Sequence, residues 1–291
     1  MVYIMYHLYL SKRYKKKQCF FLYKMPESPE ISYLANYINK HFRSHILKSI
    51  EILDGRYKHH EAPENVKEFR QSLPLRLTKV AKKGKVLFIY FDEWCLISKL
   101  GMTGWWFIPG DAPTWRKANE DIVLTFDNNK LIFSDIRYFG TVTITKNPIV
   151  IEKELTKIAP DILDPNTNFN LIKHRLAQLS TSKLEHTLIE DILVDQKLIL
   201  SGIGNYLKAE ILYAAKISPL RKLKSLTIED FHRIFTNAKR IAEHMLEVNS
   251  TNKYFDSMKV YMREKDPYGN PVVTHKTKSG RTTYWVPMVQ K

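Results

Sequence analysis

The chain has 291 residues, room for two domains, and a net charge of +16 with an isoelectric point of about 9.6. That balance suits a polyanionic partner, nucleic acid before a membrane surface. No stretch approaches ~18 consecutive apolar residues, which excludes a transmembrane helix. Two cysteines, Cys19 and Cys95, are too few for a disulfide framework or a zinc site of their own, and fit a reducing, intracellular setting.

Residues 1–24 differ from the rest. They hold Lys12, Arg13, Lys15, Lys16, Lys17 and Lys24 and no acid, with the apolar residues first, the reverse of a secretory signal. A wrongly assigned start codon is preferred to a basic targeting tail, because Met25-Pro26 reads as a start methionine followed by proline. With Met25 trimmed, Pro26 would carry a free secondary amine, a Schiff-base nucleophile. Glu27 beside it would move protons. Inside a longer chain Pro26 is a tertiary amide without such chemistry, and the stretch is an ordinary loop before a helix.

Ile31, Leu34, Ala35, Ile38 and Phe42 recur at helical spacing, so a helix follows Pro26, with Pro29 in its first turn. Strand-like runs follow at Ile46 to Leu53, Val86 to Phe91, Cys95 to Leu100, Ile122 to Phe126, Leu131 to Phe133 and Thr141 to Ile144. Turn signals such as Asp127-Asn128-Asn129 separate them. One helix and many short strands suggest a β-sandwich or barrel. Beyond about residue 150 the period becomes 3.6, with helices expected over 167–179, 184–200, 205–216 and 227–247. Thr227 is placed to cap the last, whose apolar face is Phe231, Ile234, Phe235, Ala238, Ile241 and Met245. A hairpin closes the chain, Pro271 to Thr274 and Thr282 to Trp285. The fold class is therefore α+β in two domains, an antiparallel β domain and a mostly helical one. The expected divisions are 1–24, 25–150, 151–259 and 260–291.

The ten glycines are few enough for their positions to matter. The most informative is Gly202-Ile203-Gly204-Asn205, which joins two helical patterns in a basic chain. Free amides at the following helix start would face a phosphate, with the Asn205 amide as a further donor. The alternative is a helix C-cap glycine and an N-cap asparagine with no ligand.

Together these stretches resemble the formamidopyrimidine-DNA glycosylase/endonuclease VIII family from Met25 to Lys291. The markers are Pro26-Glu27-Ser28-Pro29-Glu30, Lys83-Gly84-Lys85, Leu100-Gly101-Met102-Thr103-Gly104, Asp135-Ile136-Arg137-Tyr138-Phe139-Gly140, Asp195-Gln196-Lys197, Gly202-Ile203-Gly204-Asn205 and Tyr261. The resemblance implies a helix-two-turn-helix domain, a finger hairpin and excision of oxidised bases with strand-nicking lyase activity. It implies that Pro26 attacks C1′ of the damaged nucleotide, Glu27 handles protons at the sugar and Lys85 contacts phosphate near the lesion. Asn205, with Gly204 in the same turn, and Arg281 would grip flanking phosphates. Met102, Arg137 and Phe139 would fill the gap left by the everted base. Core packing is the alternative for Met102 and Phe139. Glu210 matches an acid on the helix after the turn. Eversion is chemically required, since a stacked base cannot present C1′ to a nucleophile.

Two departures matter. The 24-residue extension would block the Pro26 amine. The finger, residues 260–291, has no cysteine and only His275, so a tetrahedral zinc site cannot be built there and no metal or cofactor is expected. Packing of Tyr284, Trp285 and Val272 is expected to hold the hairpin, as in zincless members resembling endonuclease VIII. The resemblance implies a longer lesion-covering loop in members specialised for 8-oxoguanine than the short segment Val248 to Lys259, so oxidised pyrimidines are the expected substrates. The expected partner of the monomeric chain is damaged DNA, double-stranded, bubble or single-stranded, and no membrane. The competing reading is a non-catalytic damage-binding protein, should the extension be retained. A basic protein of a membrane surface would rest on residues 1–24 alone.

Overall fold

The computed structural model describes residues 26–111, 119–180, 183–249, 251 and 253–291; the basic stretch 1–24, with Cys19, and Met25 lie outside them. The chain forms two compact units. One holds Pro26, Tyr37–Ala81 and Val86–Asn147; the other holds Glu27–Asn36, Lys82–Lys85 and Pro148–Lys291. Helix α1 (Ser28–Phe42) contributes to both. Its Ile31, Leu34, Ala35, Ile38 and Phe42 are all buried, as their spacing predicts. Pro29 sits in the first turn, where a missing N–H costs nothing.

The first unit is built on β1 (Ile46–Ile52), β2 (Leu75–Lys83), β3 (Val86–Phe91), β4 (Trp94–Lys99), β5 (Trp105–Phe107), β6 (Ile122–Phe126), β7 (Lys130–Ser134) and β8 (Thr141–Thr145). They form one ladder in the order β5-β7-β6-β1-β2-β3-β4-β8. Its registered pairs are antiparallel. Phe91 of β3 and Phe126 of β6 stand three strands apart in that order, ~14 Å in a flat sheet. Their rings nevertheless meet at 6.3 Å, so the sheet curls and its halves face one another as in a sandwich. Phe42 joins them at 4.5 Å from Phe126.

Two strands escaped the pattern. β2 reads Leu-Arg-Leu-Thr-Lys-Val-Ala-Lys-Lys, too charged to suggest a central strand, yet only Leu75, Leu77 and Val80 need be buried. Its neighbours on both sides supply the ladder that its composition does not announce. β5 is too short to carry a period. The short helices α2 (Arg56–His59) and α3 (Val66–Gln71) were likewise unmarked.

The second unit holds α4 (Pro148–Thr156), α5 (Phe169–Ser180), α6 (Ile189–Val194), α7 (Asn205–Ala215), α8 (Ile228–Glu247) and the hairpin β9 (Val273–Lys276)/β10 (Thr282–Trp285). The single helix expected over 184–200 is a correction: it divides into a 3₁₀ turn, Lys183–His186, and the short α6. Leu188 is extended because it bridges Lys222, and its neighbour Ile189 donates to the Arg221 carbonyl at 2.8 Å. At the far end Asp195 turns back to accept the Lys197 N–H at 2.8 Å, which stops the helix. Helix α8 runs and is capped as expected, and its expected face is buried except at Ile241, beside which Ala242 is buried. Thr227 Oγ1 accepts the Asp230 N–H at 3.2 Å and Asp230 returns the bond to Thr227 N at 3.0 Å, a capping box. No helix among the described residues is long and apolar enough to cross a membrane.

Candidate functional site

The turn Gly202-Ile203-Gly204 delivers the start of α7 onto Glu27. Gly202 has φ 93°, which side chains avoid, and its carbonyl accepts the Ser28 N–H at 2.9 Å. Gln196 holds the turn from behind, accepting the Gly202 N–H at 2.7 Å and donating to the Ile203 carbonyl at 2.9 Å. The fully buried Glu27 carboxylate accepts from Gly204 N at 2.7 Å, Tyr206 N at 3.0 Å and Leu207 N at 3.2 Å. The first amides of a helix lack partners inside it, and their dipoles favour an anion. This corrects the expectation that these amides face a phosphate: Glu27 occupies them. Asn205 is not the cap either, since the N-cap is Gly204.

Glu30 lies one helical turn on, also fully buried. It accepts the Glu27 N–H at 2.9 Å, the Tyr254 hydroxyl at 2.8 Å and the Tyr206 hydroxyl at 3.1 Å. Burial pushes the Glu27 carboxyl up to about 7; the Lys85 ammonium opposes the rise, the Glu30 carboxylate adds to it, and the amides pull it back. Desolvation likewise lowers Lys85 below the usual lysine range, with Glu27 resisting. A carboxyl titrating near neutrality beside a desolvated amine is in the working range for proton transfer. Gly204 is where Glu27 and Lys85 meet. A Cβ there would fall on the Glu27 carboxyl and within 2.5 Å of Lys85 Nζ.

Lys85 is held in place by a residue that sequence reasoning did not find. Asp161 Oδ2 accepts the Gly84 N–H at 2.6 Å, while its Oδ1 meets Lys82 Nζ at 2.8 Å and the Ser28 hydroxyl at 3.1 Å. One buried carboxylate thus ties the turn before Lys85 to the residue two beyond Pro26. A lone acid in a loop carries no sequence signal. Pro26 itself is buried and one peptide bond from Glu27.

The structure also brings Asn205 and Arg281 toward this point. Asn205 is buried and its Nδ2 donates to the Thr282 carbonyl at 2.8 Å, joining α7 to the hairpin next to Arg281. Its Oδ1 has no hydrogen-bond partner among the described residues. Arg281 has an exposed side chain whose charge depresses the Lys85 pKa. The Thr277–Arg281 turn is closed by the Thr277 N–H on the Arg281 carbonyl at 2.8 Å. Tyr284 and Val272 pack on Ala209, Tyr213, Val260 and Val286, as expected, whereas Trp285 instead meets His275 edge-on at 6.5 Å. Glu210 has a defined place. Its carboxylate accepts the N–H groups of Lys259 at 2.9 Å, Val260 at 2.9 Å and Tyr261 at 2.8 Å, fixing the segment that enters the finger.

Met102, Arg137 and Phe139 belong to the first unit. The two loops that carry them meet at Asp135, whose carboxylate accepts the Thr103 hydroxyl and the Gly140 N–H. Arg137 lies over the Phe139 ring at 4.9 Å. Phe139 is 53% exposed, which removes the core-packing alternative for it; Met102 is half-buried. Ile136 and Tyr138 on the same loop are exposed too, and were not singled out.

Three comparisons bear on this geometry. The formamidopyrimidine-DNA glycosylase N-terminal domain matches residues 25–142, its H2TH domain 158–256 and its C-terminal domain 246–291. Formamidopyrimidine-DNA glycosylases are among the relatives. That of Arabidopsis thaliana is 30% identical over 92% of this chain and 71% of its own. That of Listeria innocua is 31% identical over 73% and 81%, and that of Ureaplasma parvum 28% identical over 91% and 100%. Among solved structures, the Lactococcus lactis enzyme bound to DNA with an AP site superposes with a TM-score of 0.77 at 23% identity, covering 91% of this chain and 99% of that one. A MutM in complex with carbocyclic 8-oxo-G DNA gives 0.78 at 24% identity, covering 91% and 100%. These two likenesses establish the two-domain α+β fold.

Proposed function

The chain belongs to the formamidopyrimidine-DNA glycosylase family, and on that premise we propose that it excises oxidised bases from damaged DNA and nicks the strand through a Schiff base at Pro26. The observation that carries this is the Glu27 carboxyl, held by three helix-start amides beside Lys85 and one bond from Pro26. In this reading the neutral Pro26 amine attacks C1′ of an everted nucleotide and the C1′–base bond breaks. Protonation of the sugar ring oxygen by Glu27 opens the ring, and the amine proton is lost to leave an iminium. The iminium acidifies C2′, so loss of a C2′ proton to solvent breaks the C3′–O bond and expels the 3′-phosphate (β-elimination), and loss of the C4′ proton through the conjugated iminium then breaks the C5′–O bond and expels the 5′-phosphate (δ-elimination). Water finally releases Pro26.

The chemistry requires the Pro26 nitrogen to be free. The active form therefore begins at Pro26, which agrees with the start of the N-terminal domain match at residue 25. A chain retaining residues 1–25 would bind damage without catalysis.

Arg281 is assigned to the DNA backbone with the Asn205 side-chain amide beside it, rather than the α7 amides that Glu27 occupies, supported by the exposure of Arg281, its field at Lys85 and the Asn205 bond to the Thr282 carbonyl. Phosphate contacts position the duplex and carry little base information. Met102, Arg137 and Phe139 are assigned to the gap left by the everted base, where an exposed ring under a guanidinium replaces lost stacking. The short segment Val248 to Lys259 supports a preference for oxidised pyrimidines, and the cysteine-free finger supports kinship with endonuclease VIII-like members. The test is nicking of an oligonucleotide with one abasic site by chains beginning at Pro26. Intact oligonucleotide after prolonged incubation would remove the lyase reading.

A further inference from the structure

A buried polar cluster under the hairpin plays no part in the chemistry above. Lys208 on α7 and Glu190 on α6 are 0% and 1% exposed. Lys208 Nζ donates to Thr283 Oγ1 at 2.7 Å and lies 3.8 Å from Glu190 Oε2. The Thr283 hydroxyl donates to Glu190 Oε2 at 2.5 Å. The same carboxylate meets His275 Nε2 at 2.9 Å and 3.1 Å. Thr283 of β10 and His275 of β9 are direct partners across the hairpin. One ion pair, supplied by two helices, therefore grips both strands at a single cross-strand pair.

We infer that Glu190, Lys208, Thr283 and His275 form the anchor that docks the finger hairpin and so sets Arg281 against the DNA backbone. The hairpin needs such an anchor. A two-stranded hairpin is marginal alone, and no residue of β9 is buried. The anchor sits two residues from Arg281, and one residue from the Thr282 carbonyl that accepts Asn205. The geometry is also directional. Thr283 receives from Lys208 and gives to Glu190, so its single hydroxyl completes both charged partners. Removing that hydroxyl leaves a buried ammonium short of an acceptor and a buried carboxylate short of a donor, the situation that low dielectric penalises most. Burial, with Arg281 adding like charge, lowers Lys208 to about 8 despite the Glu190 carboxylate, so the ammonium still predominates at neutral pH. Glu190, Lys208, Thr283 and His275 are positioning residues, since none touches the reacting atoms.

This inference rests on the assignment of Arg281 to a phosphate, and the test separates the two. Thr283→Val and Lys208→Met are made in the 291-residue chain, each alone and with Arg281→Ala. Amide exchange is followed over residues 273–285. Affinity is measured for a duplex bearing a tetrahydrofuran abasic analogue. Hairpin exchange is expected to accelerate in both variants. Thr283→Val should raise Kd about tenfold when Arg281 is present and under about twofold when it is already alanine, because coupled residues are not additive. Thr283→Ser, which keeps the hydroxyl, should restore both. Unchanged hairpin exchange, or an equal Kd increase in both backgrounds, overturns the anchor. Accelerated exchange with an Arg281→Ala chain that binds normally overturns the Arg281 assignment instead and leaves the anchor standing. Thr283→Val is nearly isosteric and removes no charge, so it carries the test alone if Lys208→Met fails to fold.

Discussion

Replacing Gly204 by alanine adds one methyl group at the point where Glu27 and Lys85 converge. The backbone there has an ordinary negative φ of −123°, so nothing in the turn itself forbids a side chain. The obstacle is space, since the new Cβ would fall on the Glu27 carboxyl and within 2.5 Å of Lys85 Nζ. One of the two must leave. Glu27 is tied by three amide donors, and a hydrogen bond to a charged group contributes ~1.5–3 kcal/mol. Losing one or two of them costs about 3 kcal/mol, or ~10²-fold in rate at 1.4 kcal/mol per tenfold. A displacement of ~1 Å at a catalytic group leads independently to a similar loss. Gly204→Ala in a chain beginning at Pro26 should therefore slow single-turnover base excision about a hundredfold. Affinity for an abasic-analogue duplex should stay within about threefold, because Arg281 and the loops carrying Met102, Arg137 and Phe139 are untouched. An excision rate within about threefold of the unmodified chain would refute the convergence of Glu27 and Lys85 at this glycine.

Glu27 also gives a stability test. Its folded pKa, about 7, is raised above the ordinary 4.5. The protonated form is thus favoured by folding, and its stabilising share is full below 4.5 and lost as pH rises to about 7. Glu27→Gln should gain thermal stability relative to the unmodified chain as pH climbs through that window; a Tm difference that is flat with pH would count against the raised carboxyl. Full excision activity is expected after exhaustive chelation, because a hairpin anchored by Glu190 and Lys208 needs no metal; stoichiometric zinc by elemental analysis, or inactivation by a chelator, would contradict this. Thymine glycol or dihydrouracil should be excised faster than 8-oxoguanine opposite cytosine in side-by-side single-turnover assays, and the reverse order would sink the argument from the short 248–259 segment.

Much of the fold was legible where burial follows a simple period. Helix α1 buries its apolar residues as expected, helix α8 buries its expected face except Ile241, with Ala242 buried beside it, and the β3–β4 pair reads as two apolar runs around Asp92-Glu93. β2 was not legible, because its place in the sheet comes from neighbours rather than composition. The expected helix over 184–200 failed for the same reason: Leu188 is held extended by Lys222, far along the chain. Within the site, Glu27, Lys85 and Gly204 were each marked by sequence, but the link among them was not. The amides of α7 looked free for a ligand, and only the folded chain returns a residue from position 27 to occupy them. Asp161, Glu190 and Lys208 left no trace at all, since a buried charge looks in sequence like any surface charge.

Borohydride trapping on abasic DNA reads out whether the Pro26 nitrogen is the nucleophile. A chain whose mass confirms that it begins at Pro26 should be reduced to a stable protein–DNA cross-link. Peptide mapping should place the sugar on Pro26. The 291-residue chain with its N-terminus intact should bind the same DNA and give no cross-link, because an acylated proline nitrogen forms no iminium. Equal trapping of both chains, or a cross-link mapped to Lys85, would mean that an amine other than Pro26 is the nucleophile.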